Sequence, residues 1–278
     1  MAIRMRDAMF RGLDGLRYEP VERRVRALLG DDEVVDSRRP LFVWEPRRVV
    51  PSFAVPIEDV RGELVPEPPA PGPDETPPVL HPGIPFAVHS TEGEALSLRA
   101  GDVVRERVAF APADPDLTGH VVLDFKGFDG WLEEDEPLLG HARDPYHRID
   151  MRRTSRPVRI ERDGALLAET TRAVLLWETS LPMRFYIPRE DVVAAARPGD
   201  KRTTCAYKGN ASYLSFDAGE NLAWSYEDPL PEAAPVAGLV AFFDELVDVT
   251  FDGERRERPR TLFANALADE LGLDRGAG

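Results

Sequence analysis

The chain has 278 residues with 35 Lys and Arg against 50 Asp and Glu, a formal net charge of −15. That excess of carboxylates argues against a phosphate-neutralising nucleic-acid surface and against attraction to an anionic membrane. No apolar run approaches the roughly 20 residues of a membrane helix, and the single cysteine, Cys205, rules out an internal disulfide or a multi-cysteine zinc site.

The N-terminal stretch carries charges at Arg4, Arg6 and Asp7 and lacks a signal-peptide-like apolar core. The expectation is a soluble, cytoplasmic, acidic protein. An apolar pattern predicts a short helix over about residues 5–16. Residues 34–60, VVDSRRPLFVWEPRRVVPSFAVPIEDV, recur as residues 167–192, LAETTRAVLLWETSLPMRFYIPREDV. The matches pair Asp36 with Glu169, Arg39 with Arg172, Trp44 with Trp177 and Glu45 with Glu178. After a one-residue gap they continue with Phe53 and Phe185, Val55 and Ile187, Pro56 and Pro188, and Asp59 and Asp191.

Residues 63–85 hold nine prolines in 23 positions and predict an extended, solvated insertion. RVAFAPADP (107–115) and LTGHVVLDF (117–125) recur in the same order as NLAWSYEDP (221–229) and VAGLVAFFD (236–244). Blocks repeated in one order mark a duplicated domain of about 130 residues per copy. The first copy would span 17–135 and the second 136–255. In the second copy, Asp163-Gly164 predicts a hairpin turn inside 157–178, and Asp217-Ala218-Gly219 joins strands 211–216 and 220–226. A short helical turn is expected at 189–196, another alternating strand over 247–254, and a terminal helix within 256–278, centred on 261–273. The fold class read this way is mainly β with few short helices.

The densest reactive cluster is Thr204-Cys205-Ala206-Tyr207-Lys208-Gly209, followed by Trp224-Ser225-Tyr226, with Glu178, Arg184, Tyr186 and Asp191 upstream. Alternate residues of neighbouring strands can converge on one cavity. Lys208 beside an aromatic wall and a carboxylate can hold an anion or a carbonyl group, or act as a base if desolvated. Glu178 follows the apolar run VLLW, so it is expected to be buried and therefore paired, hydrogen-bonded or protonated. Cys205 beside Lys208 has a cation that favours thiolate, and Gly209 lets the backbone approach a ligand. Structural readings stand beside these. Cys205 can be a small buried hydrophobe, and Lys208 can form an ion pair with Glu178 or Asp191. Trp177, Trp224 and Tyr226 can be core or wall residues, and His147 a capping or interface residue. Setting Gly93 against Gly209 places His89, Thr91 and Glu92 opposite Cys205, Tyr207 and Lys208, which predicts a degenerate first copy. No HExxH, CxxC, GxSxG, Walker A or GxGxxG pattern occurs, so neither a metal nor a cofactor is expected.

The segments VRIERDGALLAET, VLLWET, RFYIPREDV, TTCAYKGNASYLSF, LAWSYEDP and VAGLVAFFDELVDVTFDGE resemble, in order, the domain-of-unknown-function family numbered 427. The connector WLEEDEPLLGHARDPYHRIDMRRTSRPV is similar to that of its two-copy actinobacterial members. The family motif is usually Cys-Pro-Tyr-Lys-Gly; here Ala206 stands in place of the proline. The resemblance implies a β-tent fold, two antiparallel sheets meeting at an angle, repeated in tandem. The family's nucleotidyltransferase-like label finds no two-carboxylate metal motif here. The functional expectation is a small-molecule pocket in the second copy. Lys208, Glu178 and Cys205 would supply its chemistry for proton or group transfer on a polar metabolite. Tyr207, Gly209, Trp224, Tyr226, Arg184, Tyr186 and Asp191 would contact the ligand. The rival expectation is a binding or scaffold module without chemistry.

Overall fold

A computed structural model describes residues 2–68 and 77–260, with the side chain of Arg6 excepted. They form two compact units that divide between Asp144 and Pro145. Helix α1 (Met5–Arg11) stops at Gly12, whose N–H closes on the carbonyls of Met9 and Phe10. The expected terminal helix lies outside the described residues from position 261 on, and residues 256–260 have no regular structure.

The first unit holds β1 (Arg17–Pro20), β2 (Val25–Leu29), β3 (Asp32–Ser37), β4 (Leu41–Trp44), β5 (Ser52–Pro56), β6 (Glu63–Pro66), β7 (Gly93–Ala100), β8 (Val103–Pro112), β9 (His120–Leu123), β10 (Gly130–Glu133) and β11 (Glu136–Pro137). Its seven-stranded sheet has the order β1-β4-β5-β9-β8-β7-β6, and its four-stranded sheet β11-β10-β2-β3. The second unit holds β12 (Ile149–Arg153), β13 (Val158–Arg162), β14 (Ala165–Thr170), β15 (Val174–Glu178), β16 (Arg184–Ile187), β17 (Arg197–Cys205), β18 (Gly209–Phe216), β19 (Gly219–Ser225), β20 (Val240–Phe242), β21 (Asp248–Phe251) and β22 (Glu254–Arg255). Its sheets run β12-β15-β16-β20-β19-β18-β17 and β14-β13-β21-β22. Each sheet is antiparallel, and the fold is mainly β with a few short helical turns.

The local chemistry explains the elements. Asp163 and Gly164 turn β13 into β14 with φ of 51° and 81°, the two left-handed residues of a two-residue hairpin turn. Alternation sends one face of β13 inward, so Val158 and Ile160 are fully buried while their neighbours are partly exposed. Within the second unit Phe185 packs edge-on against Phe251 at 5.1 Å, which joins the large sheet to the small one. In the first unit Phe53 stacks on Trp131 at 5.5 Å at the corresponding junction.

Strand register extends the likeness of the units to single residues. Ala109 lies between Leu96 and Leu123, and Ala223 between Leu214 and Phe242. Ser97 Oγ accepts the N–H of Arg107 (3.0 Å) as Ser215 Oγ accepts that of Asn221 (2.9 Å). Arg107 and Asn221 share a left-handed φ of 53° and 50°. Counting back along β7 and β18 from these anchors places Ser90 at the position of Lys208 and His89 at that of Tyr207. The expected opposition of Glu92 to Lys208 is therefore two residues out of register, and no charge inversion separates the units there.

Two further expectations change. Residues 63–66 of the proline-rich segment form β6 at the sheet edge, where Pro66 ends the strand without costing an interior ladder bond. Val79 and Leu80 are buried, and Leu80 exchanges backbone hydrogen bonds with Arg47 and Val49. Trp177 is 42% exposed, unlike Trp44 at 5%, so it is not a core residue.

Candidate functional site

In the second unit the last residue of β15, Glu178, lies opposite Ile149 at the start of β12. Residues 206–208 form a tight turn between β17 and β18, closed by the pairing of Cys205 with Gly209. Gly209 takes φ of +94°, where a side chain would be strained and its Cβ would stand 3.4 Å from the Leu230 nitrogen. The Leu230 N–H donates to the Lys208 carbonyl at 3.1 Å and pins the turn.

That turn aims Lys208 inward. Its Nζ donates to Glu178 Oε2 at 2.5 Å, and the two side chains are only 6% and 9% exposed. The other carboxylate oxygen, Oε1, lies 3.1 Å from His147 Nε2, and the His147 ring stacks on Tyr207 at 4.2 Å and 18°. Burial alone would raise the Glu178 pKa, but Lys208 and His147 outweigh it and hold the carboxyl down at about 2. Burial pulls the Lys208 ammonium down, but the charge of Glu178 prevails and raises it. Both groups are thus ionised at neutral pH. An ionised carboxylate only accepts, so the His147 nitrogen that faces it, Nε2, carries a proton.

The cross-strand register Tyr186–Ala241–Trp224–Tyr213 brings further predicted residues to the same large sheet. Trp224 Nε1–H donates to the Tyr186 hydroxyl at 3.3 Å. Burial pushes the Tyr186 phenol up to about 12 and Tyr226 well above its usual range. Both stay neutral. Cys205 is half-buried and lies close enough to Lys208, Tyr186 and Tyr226 to act on them electrostatically.

Two predicted residues belong elsewhere. Arg184 makes a two-pronged ion pair with Glu245 (2.7 and 2.9 Å), stands 3.7 Å from Asp244, and lies over the Trp224 ring at 5.7 Å. Burial drives the Asp244 carboxyl up to about 6 despite Arg184, and its Oδ1 has no hydrogen-bond partner among the described residues. Asp191 accepts from Thr170 Oγ1 (2.5 Å) and from Arg172 (2.7 Å), a latch between the β14–β15 connection and the short turn at Arg189–Asp191. The first unit repeats it, with Ser37 Oγ donating to Asp59 at 2.7 Å.

Sequence reasoning read His147 as a capping or interface residue and did not place it beside Glu178, where the structure brings it. Its only local signal was a position two residues ahead of a strand. Its partner is set by the pairing of Ile149 with Glu178 across β12 and β15.

The first unit buries the corresponding carboxylate, Glu45, at 2% exposure. Glu45 Oε1 meets His89 Nδ1 at 3.0 Å and Arg48 Nε at 3.5 Å, and Oε2 accepts the Ser90 N–H at 2.9 Å. His89 stacks on Phe110 at 3.7 Å. A cleft of about 520 Å³ lies elsewhere in this unit, lined in part by Val21, Arg38 and His120.

No group of three or more potential metal ligands occurs among the described residues, and no helix among them is long and apolar enough to cross a membrane. Residues 150–253 match the family model described as a domain of unknown function, DUF427. The matched segment begins with β12 and ends in the turn after β21. No curated protein matches the chain.

Proposed function

We propose that the second unit is a small-molecule acid–base site in which His147 transfers the proton. Glu178 orients the imidazole, Lys208 fixes the charge on Glu178, and Tyr207 backs the ring. The observation that carries this reading is the shared carboxylate of Glu178, with Lys208 on one oxygen and His147 on the other. The salt-bridged pair is mutually satisfied and ionised, so neither member is poised to exchange protons near pH 7. His147, with 19% of its side chain exposed, reaches the surface. A carboxylate that holds a histidine in one tautomer makes the opposite nitrogen an effective general base. The ligand class that suits such a centre is a polar metabolite with an acidic C–H. Tyr226 and Tyr186 would line the site as neutral groups, with Cys205 beside them.

We further propose that the two units are tandem copies of one domain. Identical strand order, matching register and the repeated Asp59 and Asp191 latches support the duplication.

The test is a thermal-shift screen of polar metabolites on the whole chain, followed by incubation of each hit in D2O. The expected result is a hit that acquires deuterium with the wild type and not with His147→Gln, while the variant keeps its melting temperature. A panel without hits contradicts the reading. Binding that His147→Gln weakens, without exchange, favours the second reading, a non-catalytic ligand module. That alternative draws on Glu45, which holds His89 in a comparable buried contact and shows that the fold alone can use a carboxylate–imidazole pair.

A further inference from the structure

The cleft of about 520 Å³ in the first unit is formed where β1 and β5 end and β4 and β9 begin, together with the chain that adjoins them. Its volume falls in the range of small-ligand sites. Backbone hydrogen bonds from Val21 to Pro40 (2.9 Å) and from Ile57 to Gly119 (3.0 Å) tie its walls together. Pro20, Val21, Leu41 and Pro56 make one part of the lining apolar.

The charged groups in the wall fall into two classes. Arg39 and Glu58 pair with each other at 2.9 Å, and both have counterparts in the second unit, Arg172 and Glu190, which pair at 3.2 Å. These are fold-maintaining residues. Glu22 and Arg38 line the same cleft, yet they form no ion pair with each other or with any other described residue. His120 adds a buried Nδ1 without a hydrogen-bond partner among the described residues. Strand register places Ser155, Thr171 and Leu239 at the positions of Glu22, Arg38 and His120. The architecture therefore does not require the three groups, and they occur only where the cleft is described.

We propose that this cleft binds a small zwitterion with an apolar body, of the chemical class of an α-amino acid. Arg38 would receive the carboxylate, with His120 adding a polar contact, and Glu22 would receive the ammonium. The proline, valine and leucine side chains would cover the apolar part. Opposite charges that face one cleft without meeting each other fit a ligand that carries both complements. A simple anion would leave Glu22 repelling it, and a simple cation would leave Arg38 doing so.

The test uses calorimetric titration of the whole chain with three probes of one shape: L-phenylalanine, 3-phenylpropionate and 2-phenylethylamine. Phenylalanine should bind at least about tenfold more tightly than either singly charged probe. Arg38→Thr and Glu22→Ser, which install the residues of the second unit at exposed positions, should each weaken phenylalanine by about tenfold or more and remove its advantage over one of the other probes. In amide spectra of the wild type, phenylalanine should move Val21, Arg38 and Gly119. Equal affinity for phenylalanine and a singly charged probe overturns the proposal. So does binding unchanged by both substitutions, a shift pattern centred elsewhere, or no Kd tighter than roughly 10 mM for any probe. None of these outcomes bears on His147, so the two sites are tested separately.

Discussion

Glu45 and Glu178 sit at the ends of corresponding strands, and each is buried and neutralised, but the cation comes from a different direction. In the second unit a three-residue turn carries Lys208 straight from β17 to β18 and onto the carboxylate. In the first unit residues 67–92 replace that turn, and Ser90 offers only its backbone N–H. The cation is Arg48, from the connection after β4, and it also donates to the carbonyls of Pro85 (3.2 Å), Phe86 (3.1 Å) and Val88 (2.6 Å). One guanidinium therefore neutralises Glu45 and holds the far end of the insertion, which a lysine with its single ammonium cannot do with the same planar fork. The comparison teaches that the fold demands a neutralised carboxylate at this position and leaves its source open. Each carboxylate also holds an imidazole, and what distinguishes the second unit is that His147 comes from the segment ahead of β12, whereas His89 comes from the segment ahead of β7.

Removing either cation should have the largest effect. Lys208→Met or Arg48→Met leaves a buried carboxylate without its lysine or arginine cation and should cost about 3–5 kcal/mol in chemical denaturation. The double variant Lys208→Met/Glu178→Leu should recover most of that loss. A double variant no more stable than Lys208→Met would show that the pair does more than neutralise itself. Arg48→Met alone should also expose the amide of Leu80 to hydrogen exchange, and Ser90→Lys added to it should restore part of the stability if the register equivalence holds.

Asp244 provides an effect of similar size and opposite sign. Its folded pKa of about 6 lies above the ordinary 3.8. The native state thus keeps a proton that the unfolded chain has released, and stability falls as pH rises through this window. The penalty above pH 6 is about 3 kcal/mol. Asp244→Asn should therefore raise the melting temperature at pH 7.5 and flatten the pH profile between 4 and 6; an unchanged profile would mean that Arg184 already neutralises Asp244. Glu178 works the other way. Its depressed pKa of about 2 contributes stability that is present above its ordinary range near 4.5 and lost as pH falls towards 2.

Smaller and symmetric effects are expected at the latch. Ser37→Ala and Thr170→Val should each cost about 1–2 kcal/mol, and equal losses by denaturation would show that the two latches are energetically equivalent. A marked difference would show that the two units rely on them unequally.

Much of the fold was legible because alternation and turn chemistry are local. Asp163-Gly164 announced its hairpin, and the β18–β19 pair followed from alternation around 217–219. Glu178 was legible as a buried acid from the apolar run before it, and as one of two possible partners of Lys208. Residues that depend on strand register were not legible. Gly93 and Gly209 look equivalent in sequence, but the Ser97 and Ser215 hydrogen bonds show that they are two positions apart. Arg184 shares the sheet with Tyr186, yet the run Phe243–Val247 brings Glu245 to it. That pairing spans 61 residues and leaves no local trace.

The central claim is that Glu178 fixes the tautomer of His147. Nitrogen-15 spectra of the imidazole at neutral pH test it most directly. The account predicts a ring protonated at Nε2 with a bare Nδ1 in the wild type, and loss of that preference in Glu178→Gln. A wild-type ring protonated at Nδ1 with Nε2 bare would contradict it.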